Sequence, residues 1–110
     1  MPDYVYAYEK LLGAVEIMAT GKGSRADRLA RATHQYLFRI RKVKANDLPA
    51  DLATRLAEFI EEMTAKRGLQ PWENAVDKTA QTMPWQTAER LSRQLLGLFL
   101  AVSALRSNGP

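Results

Sequence analysis

Apolar side chains recur every three or four residues along most of the chain, and this spacing constrains the fold more than any other feature. It is clearest between residues 48 and 63, where one helical face carries Leu48, Leu52, Leu56, Phe59, Ile60 and Met63. The acidic residues of this segment point away from that face. No alternating run is long enough to predict a strand. The pattern therefore predicts an all-α protein.

Two helices precede this segment. The first is predicted from about residue 3 to residue 20, where the glycines of "TGKG" suit a helix end and a turn. The second is predicted to begin at Ser24, whose hydroxyl can cap the first turn together with Asp27. Its apolar spacing fades near Val43.

Prolines mark the starts of the remaining helices. Pro49 suits the first turn of the third helix, which we expect to end at Gly68. A short helix is predicted after Pro71, and the last helix opens at Pro84. Because short connections favour antiparallel neighbours, we predict that residues 1–110 form a single compact bundle of four main helices plus one short helix.

The composition excludes several classes of chemistry. The 110 residues include no cysteine, so disulfides, thiolate catalysis and cysteine-bound metals are excluded. Sixteen Lys and Arg residues against twelve Asp and Glu residues give a net charge of +4, which favours anionic partners. The start shows no secretory signal, and the longest apolar stretch, "LLGLFLAVSAL", is about half of what spans a bilayer. We therefore expect a cytoplasmic protein that does not insert into membranes.

The segment "GKGSRADRLARATHQYLFRIRKVK" holds half of the basic residues. A phosphate-binding P-loop needs a strand before it and a different order of glycine, lysine and serine, so we interpret the segment as a turn and a basic helix. On a helical wheel most of its outer residues share one sector, beside an aromatic ring. The candidate interaction or anion-binding residues are Lys22, Arg25, Arg28, Arg31, Phe38, Arg39 and Lys42.

Four interpretations of this basic face stay open. It is a solvated face, or one paired with the acidic side of the third helix; otherwise it contacts a protein, a nucleic acid or a membrane surface. An exposed aromatic ring beside arginines suits both a protein anchor and a stacked base. Direct reading of DNA bases is disfavoured, because the link to the third helix is long and that helix is acidic.

No catalytic constellation can be assembled from the sequence. His34 is the only histidine, and Ser24 lies about three turns away on the same helix. The glutamates Glu58, Glu61 and Glu62 face away from the apolar stripe, and no Glu-x-x-His pair accompanies them. We therefore predict no enzyme activity, no metal site and no cofactor.

The last helix carries a second apolar side beyond Leu95. Its first half is polar on the outside, whereas two leucines and a row of small residues lie outside in the second half. These candidate self-association residues are Leu96, Gly97, Leu100, Ala101 and Ala104. The helix either lies centrally in the bundle or packs against a second copy of the chain, with membrane-surface contact as a third alternative.

The two tryptophans occur in similar contexts, "QPWENA" and "MPWQTA". Each follows a proline at a predicted helix start. We expect Trp72 and Trp85 to pack short elements onto the bundle, and a ligand pocket walled by tryptophan is the alternative.

The first 65 residues or so resemble a group of small bacterial proteins to which no activity is assigned. The shared motifs are Tyr-Glu-Lys-Leu at Tyr8–Leu11, Ala-Thr-Gly-x-Gly at Ala19–Gly23, Arg-Leu at Arg28–Leu29 and Leu-Pro-x-x-Leu at Leu48–Leu52. This resemblance implies an all-helical fold and a bacterial, cytoplasmic setting. It implies no functional residue, and the last third of the chain does not share it.

Together these patterns predict a non-enzymatic protein-interaction or regulatory module. The sharpest candidate residues are those of the basic second helix, and a homodimer through the last helix is the second expectation. The alternative function is nucleic-acid binding through phosphate contacts on that same basic helix.

Overall fold

The structure, a computed structural model, describes residues 4–43, 48–66 and 74–107. Its helices are α1 (Val5–Thr20), α2 (Arg25–Ala32), a π-helical segment (Thr33–Leu37), α3 (Phe38–Val43), α4 (Ala50–Met63), α5 (Ala75–Gln81) and α6 (Trp85–Ser107). Since α2, the π-helical segment and α3 follow one another without a break, they form one long helix. The prediction of an all-α bundle with four main helices and one short helix is confirmed, and the described residues contain no strand.

The turn between α1 and α2 has the predicted local chemistry. The Asp27 amide donates to the Ser24 hydroxyl over 3.1 Å, and the Ser24 amide donates to the Asp27 carboxylate over 3.2 Å. This reciprocal pair satisfies two amides that have no partner inside the helix. Gly23 precedes it with φ of 94°, a conformation that glycine adopts without steric cost.

The core lies where α1, α2 and α6 meet, and α4 packs on α6 and the π-helical segment from the other side. All six apolar residues predicted to line the third helix are buried, with Phe59 and Ile60 nearly inaccessible. From α6 the core receives Ala88, Leu91, Leu95, Leu98 and Val102. Burial of each large side chain contributes about 1.5–3 kcal/mol, so this shared core holds the four main helices together.

The π-helical segment was not predicted from the sequence. It contains buried Thr33, whose hydroxyl donates to the Leu29 carbonyl over 2.8 Å. It also sets the Tyr36 ring against α1, so close to Gly13 that a Cβ there would lie 2.5 Å from the ring. Because a π turn holds more residues than an α turn, residues beyond it are rotated away from the positions that a regular wheel assigns them.

The short helix α5 is capped by Asn74, whose side-chain oxygen accepts from the Asp77 amide over 2.8 Å. Its buried residues Val76, Thr79 and Ala80 face the bundle. Pro71 and Trp72 lie outside the described residues, so the predicted packing of Trp72 has no structural counterpart here. The side chain of Lys42 and Gly68, the predicted end of the third helix, lie outside them as well. That predicted end is wrong, because α4 ends at Met63, where the Thr64 hydroxyl donates to the Ile60 carbonyl over 2.9 Å.

Trp85, at the start of α6, does not pack into the bundle as predicted. Its side chain is 69% exposed. In the described segments, no helix is both long enough and apolar enough for a membrane span.

Candidate interaction surface

Two of the predicted basic residues are used inside the chain. A guanidinium nitrogen of Arg28 donates to the Met18 carbonyl over 2.5 Å, and its Nε donates to the Ser24 carbonyl over 3.4 Å. Arg31 donates to the Lys22 carbonyl over 3.0 Å. The last carbonyls of a helix have no partner within it, so Arg28 caps the end of α1, while Arg31 secures the turn.

The other predicted basic residues that the structure describes are not used inside the chain. The side chains of Lys22, Arg25 and Arg39 are exposed and form no ion pair or hydrogen bond with a described residue. Phe38 is half-buried against the core, with its ring edge-on to His34 at 6.0 Å between centroids. The predicted outward cluster therefore has mixed roles: Arg28 caps α1 and Phe38 packs against the core, while Lys22, Arg25 and Arg39 stay exposed.

The acidic side of the third helix also pairs elsewhere than expected. Glu62 of α4 accepts two hydrogen bonds from the Arg90 guanidinium of α6, at 2.6 and 2.8 Å. These hydrogen bonds lower the pKa of Glu62 below its ordinary value, and they raise the pKa of Arg90. The ion pair joins α4 to α6 and leaves the basic residues of α2 without this partner.

His34 has one polar neighbour that the sequence does not reveal. Its Nε2 lies 3.2 Å from a carboxylate oxygen of Asp77, so the contact ties the π-helical segment to α5. Both side chains are exposed. Among the residues that the structure describes, no three His, Asp or Glu side chains come together in a set that could hold a metal ion.

The second half of α6 presents apolar side chains to solvent. Leu96 is 45% exposed and Leu100 is 56% exposed, while the intervening Leu98 and the preceding Leu95 are buried. Ala104 is exposed beyond them. The helix packs against α1, α2 and α4, as the alternative of a central helix predicts, but this packing leaves Leu96 and Leu100 uncovered.

The small residues of this predicted self-association set lie beside the leucines. Gly97 and Ala101 are half-buried, and a Cβ at Gly97 would come within 3.3 Å of an Arg55 guanidinium nitrogen of α4. Arg55 thus lies close to the α6 backbone at this point. Of the five predicted residues three are exposed and two are half-buried, and their role in self-association stays a prediction.

An open groove of about 480 Å³ runs beside Leu96, between α6, the end of α1 and the start of α2. Apolar side chains form its floor, and charged side chains border it. The floor and walls include Val15, Met18, Ala19, Ser92, Leu95 and Leu96, and the charged lining residues are Arg25, Arg28, Glu89 and Arg93. Such a floor, with a few convergent polar groups, is typical of binding grooves.

Trp85 extends this surface towards the start of α6. It lines an adjoining depression together with Met83, Arg25 and Arg28, so both arginines border both concavities. On a helical wheel Trp85, Leu96 and Leu100 fall within about 60° of one another. We call these three exposed residues, with the groove beside Leu96, the α6 surface.

Sequence reasoning found the leucines of the α6 surface but missed the rest. Leu96 and Leu100 were detectable because they lie opposite the main apolar stripe of their helix. The exposure of Trp85 was missed, since a tryptophan after a proline suggests packing. The groove depends on how the end of α1 meets α6, which no local pattern encodes.

Comparisons with known proteins bear on the resemblance to the small bacterial proteins. Scans of protein-family models, of curated proteins and of solved structures found no match for this chain. The resemblance, and the bacterial and cytoplasmic setting that it implies, therefore stay predictions.

Proposed function

We propose that this chain is a non-enzymatic protein-interaction module that docks a partner protein on the α6 surface. The observation that carries the proposal is the exposure of Leu96 and Leu100 on a helix whose neighbouring leucines, Leu95 and Leu98, are buried. Contiguous exposed apolar side chains rimmed by polar ones mark interaction sites in soluble proteins, whereas scattered single ones do not.

The energetics favour this use of the surface. Removing two leucine side chains from water stabilises a complex by about 1.5–3 kcal/mol each. Trp and Arg are the residue types that dominate binding energy at protein interfaces, and Trp85 and Arg25 border the same depression. The α6 surface thus combines an aromatic anchor, an apolar strip and the guanidinium of Arg25, which is unpaired among the described residues.

Affinity capture with matched variants tests the proposal. The bead-bound wild-type chain, Leu96→Glu/Leu100→Glu and the control Lys22→Glu/Arg39→Glu are incubated with a lysate of the source cells. We expect the control to keep the wild-type partner, since both of its changes lie at exposed residues outside the α6 surface. We expect the leucine variant to lose this partner. If instead the leucine variant keeps the partner and Lys22→Glu/Arg39→Glu loses it, the binding surface is the basic second helix.

Nucleic-acid binding remains the second candidate, on one specific observation. Trp85 is exposed beside Arg25, an arrangement on which an unpaired base can stack. Arg28 and Arg31, however, already donate hydrogen bonds to carbonyls of the chain.

A gel-shift assay with single- and double-stranded DNA and RNA at low salt tests this candidate. It predicts a shift that Trp85→Ala or Arg25→Glu removes and that weakens steeply with salt. The absence of any shift eliminates it.

A further inference from the structure

We infer that the occupant of the α6 surface is an amphipathic helix of another protein that carries acidic side chains on its flanks, and not a second copy of this chain. This inference rests on the proposed function, because it names the partner of the same surface. It is argued from the charge around the groove, from the spacing of the exposed apolar residues and from what a symmetric interface would bring together.

The groove beside Leu96 keeps uncompensated positive charge. Of its charged lining residues, Arg93 donates to Glu89 over 2.8 Å, so that pair is neutral together. Arg28 donates only to neutral carbonyls, and Arg25 pairs with no described carboxylate. Two guanidinium groups therefore border the apolar floor without forming an ion pair with a described carboxylate. Asp27 lines the adjoining depression beside them, but its carboxylate accepts from the Ser24 amide. Carboxylates are the natural partners of these groups, because one guanidinium can donate two parallel hydrogen bonds to one carboxylate.

A second copy would not supply those carboxylates. In a twofold interface the same patch meets itself, so Arg25 and Arg28 of both copies would gather in one interface. Like charges placed face to face across an interface are unfavourable by several kcal/mol in total. The Glu89 carboxylate that the second copy would bring to the interface is already paired with Arg93 of its own helix.

The length of the α6 surface suits a helical partner segment. Leu96 and Leu100 lie one turn apart, and a helix docked along a helical surface places its own anchors at positions i, i+3, i+4 and i+7. From Trp85 to Leu100 the α6 surface extends over roughly 22 Å, which a helix of about 15–18 residues spans. Addition of a strand is not supported, because the described residues offer no strand edge.

A phage-displayed peptide library tests this inference on the full chain. Each peptide has about 18 residues, with leucine at helical anchor positions and Glu, Gln or Lys randomised at the flanks. The baits are wild type, Leu96→Glu/Leu100→Glu and Arg25→Glu, and circular dichroism confirms that each bait is folded. We expect peptides that require the leucines, with Glu exceeding Lys at the flanks by roughly tenfold on wild type. On Arg25→Glu this preference should fall towards parity.

The outcomes separate the inference from the proposed function. Leucine-dependent peptides with no preference for Glu, or with a preference for Lys, would overturn the acidic partner while leaving the interaction module in place. Peptides enriched equally on wild type and on Leu96→Glu/Leu100→Glu would contradict the proposed function itself. Light scattering across chain concentrations checks the remaining alternative: a wild-type dimer that Leu96→Glu/Leu100→Glu dissociates would identify a second copy as the occupant and overturn the inference.

Discussion

The arginine-rich start of α2 and the leucine-rich second half of α6 differ in where their side chains find partners. The sequence predicts that both regions are exposed and available to a binding partner. In the structure Arg28 and Arg31 donate to carbonyls at the end of α1 and in the following turn, whereas Leu96 and Leu100 remain in solvent. Part of the basic segment thus forms hydrogen bonds within the chain, whereas the exposed leucines of α6 have no such partner in the described residues.

The difference follows from what each side chain requires. A guanidinium needs only an acceptor within reach, and the end of any helix provides several unpaired carbonyls. A leucine needs a surface that covers it, and the long helices of this bundle already bury their own apolar faces against one another. With α5 only seven residues long, nothing among the described elements covers the outer side of α6.

The largest expected effect comes from the adjacent pair Leu95 and Leu96. Leu95→Ala removes a fully buried side chain and should lower the free energy of unfolding by about 2–5 kcal/mol. Leu96→Ala, at a half-exposed position, should change it by less than about 1 kcal/mol while weakening partner capture. Urea unfolding followed by circular dichroism measures both. Equal losses of stability would mean that Leu96 is covered and that the contrast between the two regions is false.

Arg28→Met tests the other side of the comparison. The change keeps the aliphatic stem but removes the hydrogen bonds to the Met18 and Ser24 carbonyls. Hydrogen bonds from charged donors contribute about 1.5–3 kcal/mol, so we expect a loss in that range from thermal or urea unfolding. Arg39→Met is the matched control, since its side chain contacts no described acceptor, and it should be close to neutral. If Arg28→Met leaves the free energy of unfolding unchanged, Arg28 does not stabilise the end of α1 and belongs to the exposed basic residues.

Substitutions at the helical glycines Gly13 and Gly97 allow a packed site to be compared with a more open one. A Cβ at Gly13 would lie 2.5 Å from the Tyr36 ring, so Gly13→Ala should be destabilising by about 1–2 kcal/mol despite its gain in helix propensity. At Gly97 the nearest atom is the flexible end of Arg55, so Gly97→Ala should be neutral or stabilising by up to about 1 kcal/mol. Truncating Tyr36 to Ala should remove most of the additional cost of Gly13→Ala in a double-mutant cycle.

The smallest effect concerns the ion pair between Glu62 and Arg90. Because the pKa of Glu62 is lower in the folded state, its contribution is present above the unfolded value, near pH 4.3, and is lost as pH falls through the folded value. Both side chains are more than 40% exposed, so the contribution is below about 1 kcal/mol. The stability difference between wild type and Glu62→Gln should therefore shrink on acidification, whereas a difference that grows as pH falls would contradict this sign.

The sequence predicted the helices well because their cause is local and repetitive. The stripe of α4, the capping of α2 by Ser24 and Asp27, and the burial of Val76 and Ala80 all follow from spacing and side-chain type. The π-helical segment could not be predicted in the same way. It coincides with the seating of Tyr36 against Gly13, two residues that are distant in sequence.

The sequence predicts only those features of the candidate site that follow from the pattern of a single helix. Leu96 and Leu100 are visible as apolar residues opposite the buried stripe of α6. The partners of Arg28 and Arg31 depend on where the end of α1 and the following turn lie, and the exposure of Trp85 depends on which elements surround the start of α6. Tertiary arrangement decides these features, so a helical wheel of a single segment cannot supply them.

Thiol labelling most directly tests whether the outer side of α6 is open to solvent. The chain has no cysteine, so Leu100→Cys and Leu98→Cys each carry a single reactive group whose rate with a maleimide can be measured. We predict that Leu100→Cys reacts as fast as a free thiol at all chain concentrations. Leu98→Cys, which reacts only through opening of the fold, should be slower on the order of a hundredfold or more. A Leu100→Cys thiol as protected as that of Leu98→Cys would show that the α6 surface is sealed within the chain and would contradict the account.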